Sequence, residues 1–315
     1  MDISIVVPVF NEEGSLPELV RWTKEALSSH PFSYEMILVD DGSRDNSWSV
    51  IRSLKEEYDF IKGLKFTRNY GKSAALQKGF EKARGSVVVT MDADLQDSPE
   101  EIPSMYEMIR SGDYEIVSGW KKKRYDPITK TIPTKLYNAV VRAISGIKLN
   151  DFNCGLKAYR RDVVKNIEVY GEMHRYIPVM AKWKGYDKIG EKVVAHQARK
   201  YGSSKFGMER FIRGPLDLLS ILFVGKFGKR PMHFFGVMGI LVFVLGFLLF
   251  AYIGGSKLYY MQMGWPAKNI ANMSWFYIAL TSMVIGTQLF LAGFLAELVA
   301  RNSPDRNTYI IEETL

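Results

Sequence analysis

Two acidic residues follow a short apolar stretch in the middle of the chain. Residues 87–90 are apolar and β-branched, which predicts a buried strand, and Met91 leads from it to Asp92 and Asp94. Carboxylates two residues apart repel each other unless a cation lies near them, and Mg²⁺ or Mn²⁺ prefers such oxygen ligands. The alternative is a solvated turn, in which Asp is also common. The spacing therefore indicates either a metal site or a turn at the end of this strand.

Further strands and helices are predicted to alternate around this stretch. Strand-like residues cover 3–9, 35–39, 61–67 and 115–118, and stretches with helical spacing of apolar residues separate them. Such alternation predicts an α/β fold with a mostly parallel sheet and helices on both faces. Ligands bind at the carboxyl ends of the strands in these sheets. Polar residues after the strands are therefore expected to converge there, namely Asp41, Arg68, Lys72, Asp92 and Asp94.

Two common phosphate-binding motifs are absent from the sequence. The first strand is followed by Phe10-Asn11-Glu12 rather than by G-x-G-x-x-G, and no G-x-x-x-x-G-K-[ST] occurs. These absences argue against a Rossmann dehydrogenase and a P-loop NTPase. Phosphates are instead expected to be held by a metal ion and basic side chains.

Four motifs in order resemble those of family 2 glycosyltransferases with the GT-A fold. They are Val7-Pro8-Val9-Phe10-Asn11-Glu12, Asp40-Asp41-Gly42-Ser43, Asn69-Tyr70-Gly71-Lys72 and Asp92-Ala93-Asp94-Leu95-Gln96. More narrowly, residues 3–206 resemble the polyprenyl-phosphate branch, which includes dolichyl-phosphate mannose synthase and bactoprenol glucosyltransferase. Each motif alone is weak, but the four together in this order are specific.

The resemblance implies a nucleotide diphosphate sugar as donor, with UDP favoured over GDP, and Mg²⁺ or Mn²⁺ as cofactor. Asp41 is expected at the base, and Asp92 at the ribose or near the metal. Asp94 and Gln96 are the expected metal ligands. The full set of expected donor-binding residues is Pro8, Glu12, Asp41, Lys72 and Asp92.

Asp151 resembles the family's proposed general base. Inverting transfer needs a group near the acceptor oxygen, on the face opposite the leaving diphosphate. Because a phosphate acceptor is mostly ionised near neutral pH, Asp151 either removes a proton or orients the acceptor. A structural alternative is a helix N-cap. The nearby Cys154, the only cysteine, is expected to be buried as a small apolar residue.

Basic residues cluster in two places that the resemblance connects to phosphate binding. Residues 121–124 are consecutive cations, which are either a solvated surface or a phosphate site. The family often has Arg where Lys121 stands, and Lys lacks the bidentate geometry of Arg. Residues 199–205 resemble the family's R-x-x-G-x-S-K loop, expected to cover the active site. The residues expected to contact diphosphate or acceptor phosphate are Lys121, Arg124, Arg199, Ser204 and Lys205.

The last third of the chain is predicted to contact the membrane. Residues 207–231 resemble interfacial amphipathic helices, and residues 234–253 and 273–296 are uncharged runs of spanning length. Gly286 and Gly293 are expected to allow close helix packing. Cations flank the spans at both ends, so the positive-inside rule places the soluble domain and both termini in the cytoplasm. The predicted division is a catalytic domain at 1–206, interfacial helices at 207–231, a two-span hairpin at 232–300 and a tail at 301–315.

The composition and the motifs present or absent argue against three other functions. The net charge of +8 suits an anionic partner. The cations lie next to a membrane segment, however, and not among aromatic residues on which bases could stack, which argues against nucleic-acid binding. A processive synthase is disfavoured because no Q-x-x-R-W motif follows Asp151. A catalytically silent scaffold is disfavoured because the acidic motifs are intact. The protein is also expected to form a homo-oligomer, in which residues 308–311 would be an intersubunit strand.

Overall fold

A computed structural model describes residues 1–122, 128–197, 200–201, 231–266, 269–301 and 311–314. The chain separates into two compact units, Met1–Leu218 with Arg306–Leu315, and Leu219–Asp305. Nearly all of the predicted interfacial segment 207–231 lies outside the described residues. The same is true of four predicted phosphate contacts, Arg124, Arg199, Ser204 and Lys205.

The first unit is built on a mixed sheet with the strand order β7-β5-β6-β4-β1-β2-β3-β8. The strands are β1 (Ile3–Val9), β2 (Tyr34–Asp40), β3 (Ile61–Phe66), β4 (Val87–Thr90), β5 (Ile116–Trp120), β6 (Lys157–Arg160), β7 (Ile189–Val193) and β8 (Ile311–Thr314). The helices are α1 (Leu16–Ser28), α2 (Ser47–Glu57), α3 (Lys72–Lys82), α4 (Ile102–Arg110), α5 (Ile128–Ser145), α6 (Arg161–Asn166) and α7 (Ile177–Trp183). Short 3₁₀ helices cover Pro99–Glu101 and Met173–Tyr176.

The centre of the sheet confirms the predicted parallel arrangement. β1 pairs in parallel with β2 and β4, and β2 pairs in parallel with β3. These strands are nearly continuous apolar runs because helices cover both of their faces. In α1 the buried residues Leu16, Leu19, Val20 and Leu27 recur at helical spacing. Burying each such side chain stabilises the fold by about 1.5–3 kcal/mol.

Two strands depart from the parallel pattern and were not predicted as they occur. β6 lies between β4 and β5 and is antiparallel to both. It has four residues, two of them charged, so it lacks the apolar run by which a buried strand is recognised. β8 pairs antiparallel with β3 of its own chain. Of the segment 308–311, expected as an intersubunit strand, residues 308–310 lie outside the described residues and only Ile311 belongs to β8.

The second unit contains two long apolar helices, α8 (Pro231–Gln262) and α9 (Ser274–Arg301). By length and composition, Met232–Gln262 and Ser274–Ala296 are suited to cross a membrane. Most of their side chains are exposed in the protein alone, as expected of helices that face lipid rather than a core. Met232–Gln262 includes the whole predicted run 234–253, and Ser274–Ala296 covers the predicted run 273–296 except for its first residue.

Glycines bring α8 and α9 close together. A Cβ atom added at Gly239 would lie 2.6 Å from the carbonyl oxygen of Gly286, and one added at Gly286 would lie 2.6 Å from the carbonyl oxygen of Gly239. A Cβ at Gly293 would lie 2.8 Å from the Cβ of Phe235. The predicted role of Gly286 and Gly293 in close packing is confirmed.

We expect Gly239→Leu to separate the two helices, since the new side chain would overlap the backbone of α9. Overpacking of this kind costs about 1–3 kcal/mol or more. The measurement is the apparent Tm of the purified protein in detergent. Gly254→Leu is the matched control, because a Cβ at Gly254 meets no atom within 4 Å. An equal change in Tm for both variants would contradict the packing role of Gly239.

Candidate active site

The pairing of β6 with β4 determines which loops meet. The last residue of β4, Thr90, pairs with the first residue of β6, Lys157. Because β6 is antiparallel, the loop that precedes it lies at the edge where β1, β2 and β4 end. The hydroxyl of Thr90 also donates to the carbonyl of Gly155 at 2.8 Å. Asp151 is thereby brought to the same edge as Asp92 and Asp94.

The loops after β1 and β2 are held together by side-chain hydrogen bonds to backbone groups. The amide of Asn11 donates to Ser43 Oγ at 2.9 Å, and the amide of Glu12 donates to Ser47 Oγ at 2.9 Å. Asn11 itself has a φ of 53°, in the left-handed region. The ladder between β1 and β4 ends at the pair Val6–Thr90, so Pro8 pairs only with β2. The predicted donor residue Pro8 therefore lies near the end of β1, and Glu12 lies in the fixed turn that follows it.

Asp41 is 4% exposed and binds the loop that follows β3. Its carboxylate accepts the amide hydrogens of Tyr70 at 2.7 Å and Gly71 at 2.9 Å. Burial raises the pKa of Asp41 to about 6, although these two hydrogen bonds oppose the shift. At the next residue a glycine is required, because Gly42 has a φ of 68° and an added Cβ would lie 2.4 Å from the carbonyl carbon of Arg68.

Asp92 forms an ion pair with Lys72, which is the first residue of α3. Burial alone would raise the pKa of Asp92, but the charge of Lys72 outweighs it, and the net result is a pKa of about 2. Both side chains remain about one-third exposed. The structure thus brings two predicted donor residues into direct contact, with the carboxylate ionised at neutral pH.

Gly155 packs directly against this carboxylate. A Cβ at Gly155 would lie 2.6 Å from the Cγ and Oδ2 atoms of Asp92. We expect Gly155→Ala to displace Asp92 from Lys72 and to lower transfer about tenfold or more, as small displacements of positioning groups do. Activity should be measured together with Tm, against Gly255→Ala, whose Cβ meets no atom within 4 Å. Unchanged activity in the Gly155 variant would contradict the need for this contact.

Asp94 and Gln96 lie in a strained loop. Asp94 is 8% exposed, and its Oδ1 accepts the amide hydrogen of Gln96 at 3.2 Å. Between them, Leu95 has a φ of 61°, which a bulky residue rarely adopts. The amide of Gln197 donates to the carbonyl of Gln96 at 3.0 Å, and Gln96 Nε2 lies 3.5 Å from the carbonyl oxygen of Gln197.

The donor atoms of this loop fit a hard divalent cation. A carboxylate and a side-chain amide oxygen are the ligand types that Mg²⁺ and Mn²⁺ take. Within the described residues, no group of three or more His, Cys, Asp and Glu is placed to hold a metal. An ion held by Asp94 and Gln96 would therefore need its remaining ligands from substrate phosphates and water, as Mg²⁺ commonly does.

Lys121 is largely buried and pairs with an acid that the sequence did not single out. Its ammonium lies 2.7 Å from Oδ1 of Asp97, which is fully buried. Burial would lower the pKa of Lys121, but the charge of Asp97 outweighs it and the pKa is raised. Lys121 is also close enough to Asp92 to help lower the pKa of that residue. The predicted phosphate contact thus lies beside the donor residues, with its charge already compensated by Asp97.

Asp151 is fully buried and does not cap a helix. Its Oδ1 accepts the amide hydrogen of Asn153 at 3.0 Å, and the chain continues into strand β6. The helix-cap interpretation is therefore wrong. Cys154 is buried as predicted, and burial raises the pKa of its thiol to about 12.

Three further residues near this site were not identified as functional from the sequence. Lys157, His174 and Arg175 line a small cavity together with Lys72. His174 Nδ1 lies 3.1 Å from Ser73 Oγ, and burial lowers the pKa of His174 well below its usual value, so the ring is neutral at pH 7. The adjacent pair His174-Arg175 was the only local signal, and isolated histidines are more often structural than functional.

Comparison with known proteins identifies similar sequences and folds. Residues 4–168 match the family model described as glycosyl transferase family 2. The chain is 37% identical over 304 residues to a dodecaprenyl-phosphate galacturonate synthase of Rhizobium johnstonii, covering 96% of this chain and 88% of the relative. It is 35% identical over 318 residues to an undecaprenyl-phosphate 4-deoxy-4-formamido-L-arabinose transferase of Pseudomonas fluorescens, covering 99% and 89%.

Among solved structures, the fold resembles that of a glucosyl-3-phosphoglycerate synthase from Mycobacterium tuberculosis. The TM-score is 0.53 at 18% identity, and the match covers 71% of this chain and 79% of the other. At this identity the likeness concerns the fold. It confirms the GT-A-like architecture predicted for the first unit.

Proposed function

This chain belongs to glycosyl transferase family 2, and we propose that it transfers a sugar from a UDP-sugar to a polyprenyl phosphate. The observation that carries the proposal is similarity along nearly the whole chain, 96% and 99%, to two transferases named for polyprenyl-phosphate products or acceptors. That length includes both long apolar helices. Helices that anchor the enzyme in a membrane would bring it to the surface where a lipid-linked acceptor lies.

The donor is held at the edge where β1, β2 and β4 end. Asp41 accepts a hydrogen bond from the base, while Lys72 and Asp92 lie at the ribose and diphosphate. Asp94 and Gln96 would hold Mg²⁺ or Mn²⁺, and such an ion would offset the charge that develops on the leaving diphosphate. Lys121 lies on the same side, with its charge paired with Asp97. This assignment is supported by the contacts between Lys72 and Asp92 and between Asp94 and Gln96.

Transfer proceeds with inversion at the anomeric carbon. An oxygen of the acceptor phosphate forms the new bond to that carbon while the bond from the carbon to the diphosphate oxygen breaks. Asp151 orients the acceptor and takes any proton it still carries. Since the phosphate is mostly ionised at neutral pH, orientation is the larger part of this role.

The helices α8 and α9 span the membrane and keep the catalytic unit at its cytoplasmic surface. Lys226, Lys229 and Arg230 precede the first span, and Arg301 and Arg306 follow the second. The opposite end carries two cations, Lys257 in the last turns of α8 and Lys268 between the helices. This bias places both ends in the cytoplasm by the positive-inside rule. A lipid acceptor is then found by diffusion in two dimensions.

The test is a transfer assay with purified protein in detergent, undecaprenyl phosphate and a panel of labelled nucleotide sugars. The panel contains UDP-glucose, UDP-galacturonate, UDP-4-deoxy-4-formamido-L-arabinose and GDP-mannose. We expect label to enter the lipid phase from a UDP-sugar and to be lost with EDTA. Transfer from GDP-mannose alone would overturn the UDP assignment, and a protein that binds no nucleotide would favour a silent scaffold.

The pKa of Asp41 predicts a pH dependence of donor binding. The uracil N–H needs an ionised carboxylate, and Asp41, with a pKa of about 6, loses that charge as the pH falls through 6. We therefore expect donor affinity to be constant above pH 7 and to fall by up to tenfold per pH unit below 6. Isothermal titration of UDP between pH 5 and 8 measures it. Asp41→Asn should bind more weakly with a flat profile, and a flat wild-type profile would remove Asp41 from the base.

A further inference from the structure

The loop that carries Asp151 is held by side chains rather than by regular secondary structure. Residues 150–154 lie between α5 and β6, and most of their backbone groups bond to a side chain. Each buried N–H and C=O group needs a partner, and here side chains supply the hydrogen bonds that a helix or strand would otherwise supply. These bonds hold the loop in one position.

Glu191, on strand β7, binds the start of this loop. Its Oε1 accepts the amide hydrogens of Asn150 at 2.7 Å and Asp151 at 2.9 Å. Its Oε2 accepts a hydrogen from Asn150 Nδ2 at 2.7 Å. Hydrogen bonds to an ionised carboxylate are about twice as strong as neutral ones. One carboxylate therefore fixes two consecutive peptide groups, one of which belongs to Asp151.

Asn138 and Ser118 bind the middle of the loop. Asn138, on α5, is buried; its Nδ2 donates to the carbonyl of Asn150 at 2.9 Å, and its Oδ1 accepts from the amide of Phe152 at 3.4 Å. Ser118, on β5, donates to the carbonyl of Asp151 at 3.3 Å. The peptide groups on both sides of Asp151 are thus held from two further elements.

Lys157 binds the end of the loop. It is 3% exposed, and its ammonium donates to the carbonyl oxygens of Phe152, at 3.2 Å, and Cys154. A buried ammonium is costly unless its hydrogens are bonded, so these carbonyls are its compensation. It also places a positive charge near Asp151 and Asp92.

We propose that Glu191, Asn138 and Lys157 are positioning residues for Asp151, and that Glu191 sets the place of its backbone. The inference rests on the proposed role of Asp151 in transfer. None of the three needs to touch donor or acceptor for the effect. Their contribution is to hold a fully buried carboxylate within the narrow range of positions that in-line transfer requires.

The test is a double-mutant cycle with Glu191→Gln and Asp151→Asn. Glutamine keeps the length of the side chain but replaces one acceptor oxygen with a donor and removes the charge. We expect Glu191→Gln to lower kcat about tenfold or more with the KM for donor unchanged. In the Asp151→Asn background, we expect the same change to lower kcat no further. Two independent residues would give losses that multiply.

Glu115→Gln is the matched control. Glu115 directly precedes β5, at one end of the β5–β7 pair, and it also accepts a backbone amide hydrogen, from Lys188 at 3.1 Å. This variant should leave kcat unchanged. Asn138→Leu, in which the new side chain has a volume similar to that of asparagine, is tested in the same double-mutant cycle with Asp151→Asn. The Tm and the UDP affinity of each variant show whether it is folded. Losses that multiply for both variants, or wild-type kcat in both, would overturn the inference. Wild-type kcat in Asp151→Asn alone would instead refute the proposed role of Asp151, and with it the inference.

Discussion

Asp94→Asn is expected to abolish metal-dependent donor binding and to lower transfer about 1,000-fold. The carboxylate is the only charged ligand that the Asp94–Gln96 loop offers to a divalent ion, and the amide that replaces it binds such ions weakly. Metal stabilisation of a leaving diphosphate contributes several kcal/mol, and each 1.36 kcal/mol corresponds to a factor of ten in rate. Titration calorimetry of UDP with and without Mn²⁺ measures the binding part directly.

The variant keeps the local fold, because the amide oxygen of asparagine can still accept the hydrogen bond from Gln96. Asp113→Asn, in an exposed turn, is the control for a carboxylate outside the site. If Asp94→Asn bound UDP with the same Mn²⁺-dependent gain as the wild type, Asp94 would not be a metal ligand.

Asp151→Asn is expected to leave donor binding intact and to lower turnover by about 100-fold. Asparagine is nearly isosteric and retains an oxygen that accepts the amide hydrogen of Asn153, so the loop should keep its shape. What is lost is the negative charge that we propose orients the acceptor. Single-turnover transfer at saturating donor measures this effect apart from donor affinity.

Equal donor affinity in the Asp151→Asn variant and the wild type is the internal control, since it shows that the donor-binding edge of the sheet is undisturbed. Turnover within threefold of the wild type would make Asp151 a structural residue of its loop. The contrast between the two variants separates donor binding, lost in Asp94→Asn, from the chemical step, lost in Asp151→Asn.

The central strands of the fold were predictable because the residue pattern within each short segment determines them. The runs Ile3–Val9 and Val87–Thr90 are mostly apolar, and polar residues follow each of them after one further apolar residue. The strands and the edge of the sheet that carries the site could therefore be predicted from the pattern alone. Polar residues that follow parallel strands of the sheet therefore meet, as Asp92 after β4 and Lys72 after β3 do. The spans were predictable for the same reason, since uncharged runs of that length are rare in soluble proteins.

The surroundings of Asp151 were not predictable in this way. β6 begins at a lysine, and only its antiparallel pairing with β4 shows that Lys157 is buried and bonded to the preceding loop. Glu191 contacts Asn150 across 41 positions of sequence. No pattern within a single segment contains such contacts, because partners from several elements create them.

The most direct measurement offers different acceptors to the protein, each together with the sugar donor that the panel identifies. Undecaprenyl phosphate, undecaprenol and diacylglycerol are offered in turn, and the lipid product is analysed by mass spectrometry and by NMR at the anomeric carbon. We predict a product from undecaprenyl phosphate alone, a glycosyl phosphodiester with the anomeric configuration inverted. Equal transfer to undecaprenol or diacylglycerol, or retention of configuration, would contradict the proposal that this protein is an inverting polyprenyl-phosphate glycosyltransferase.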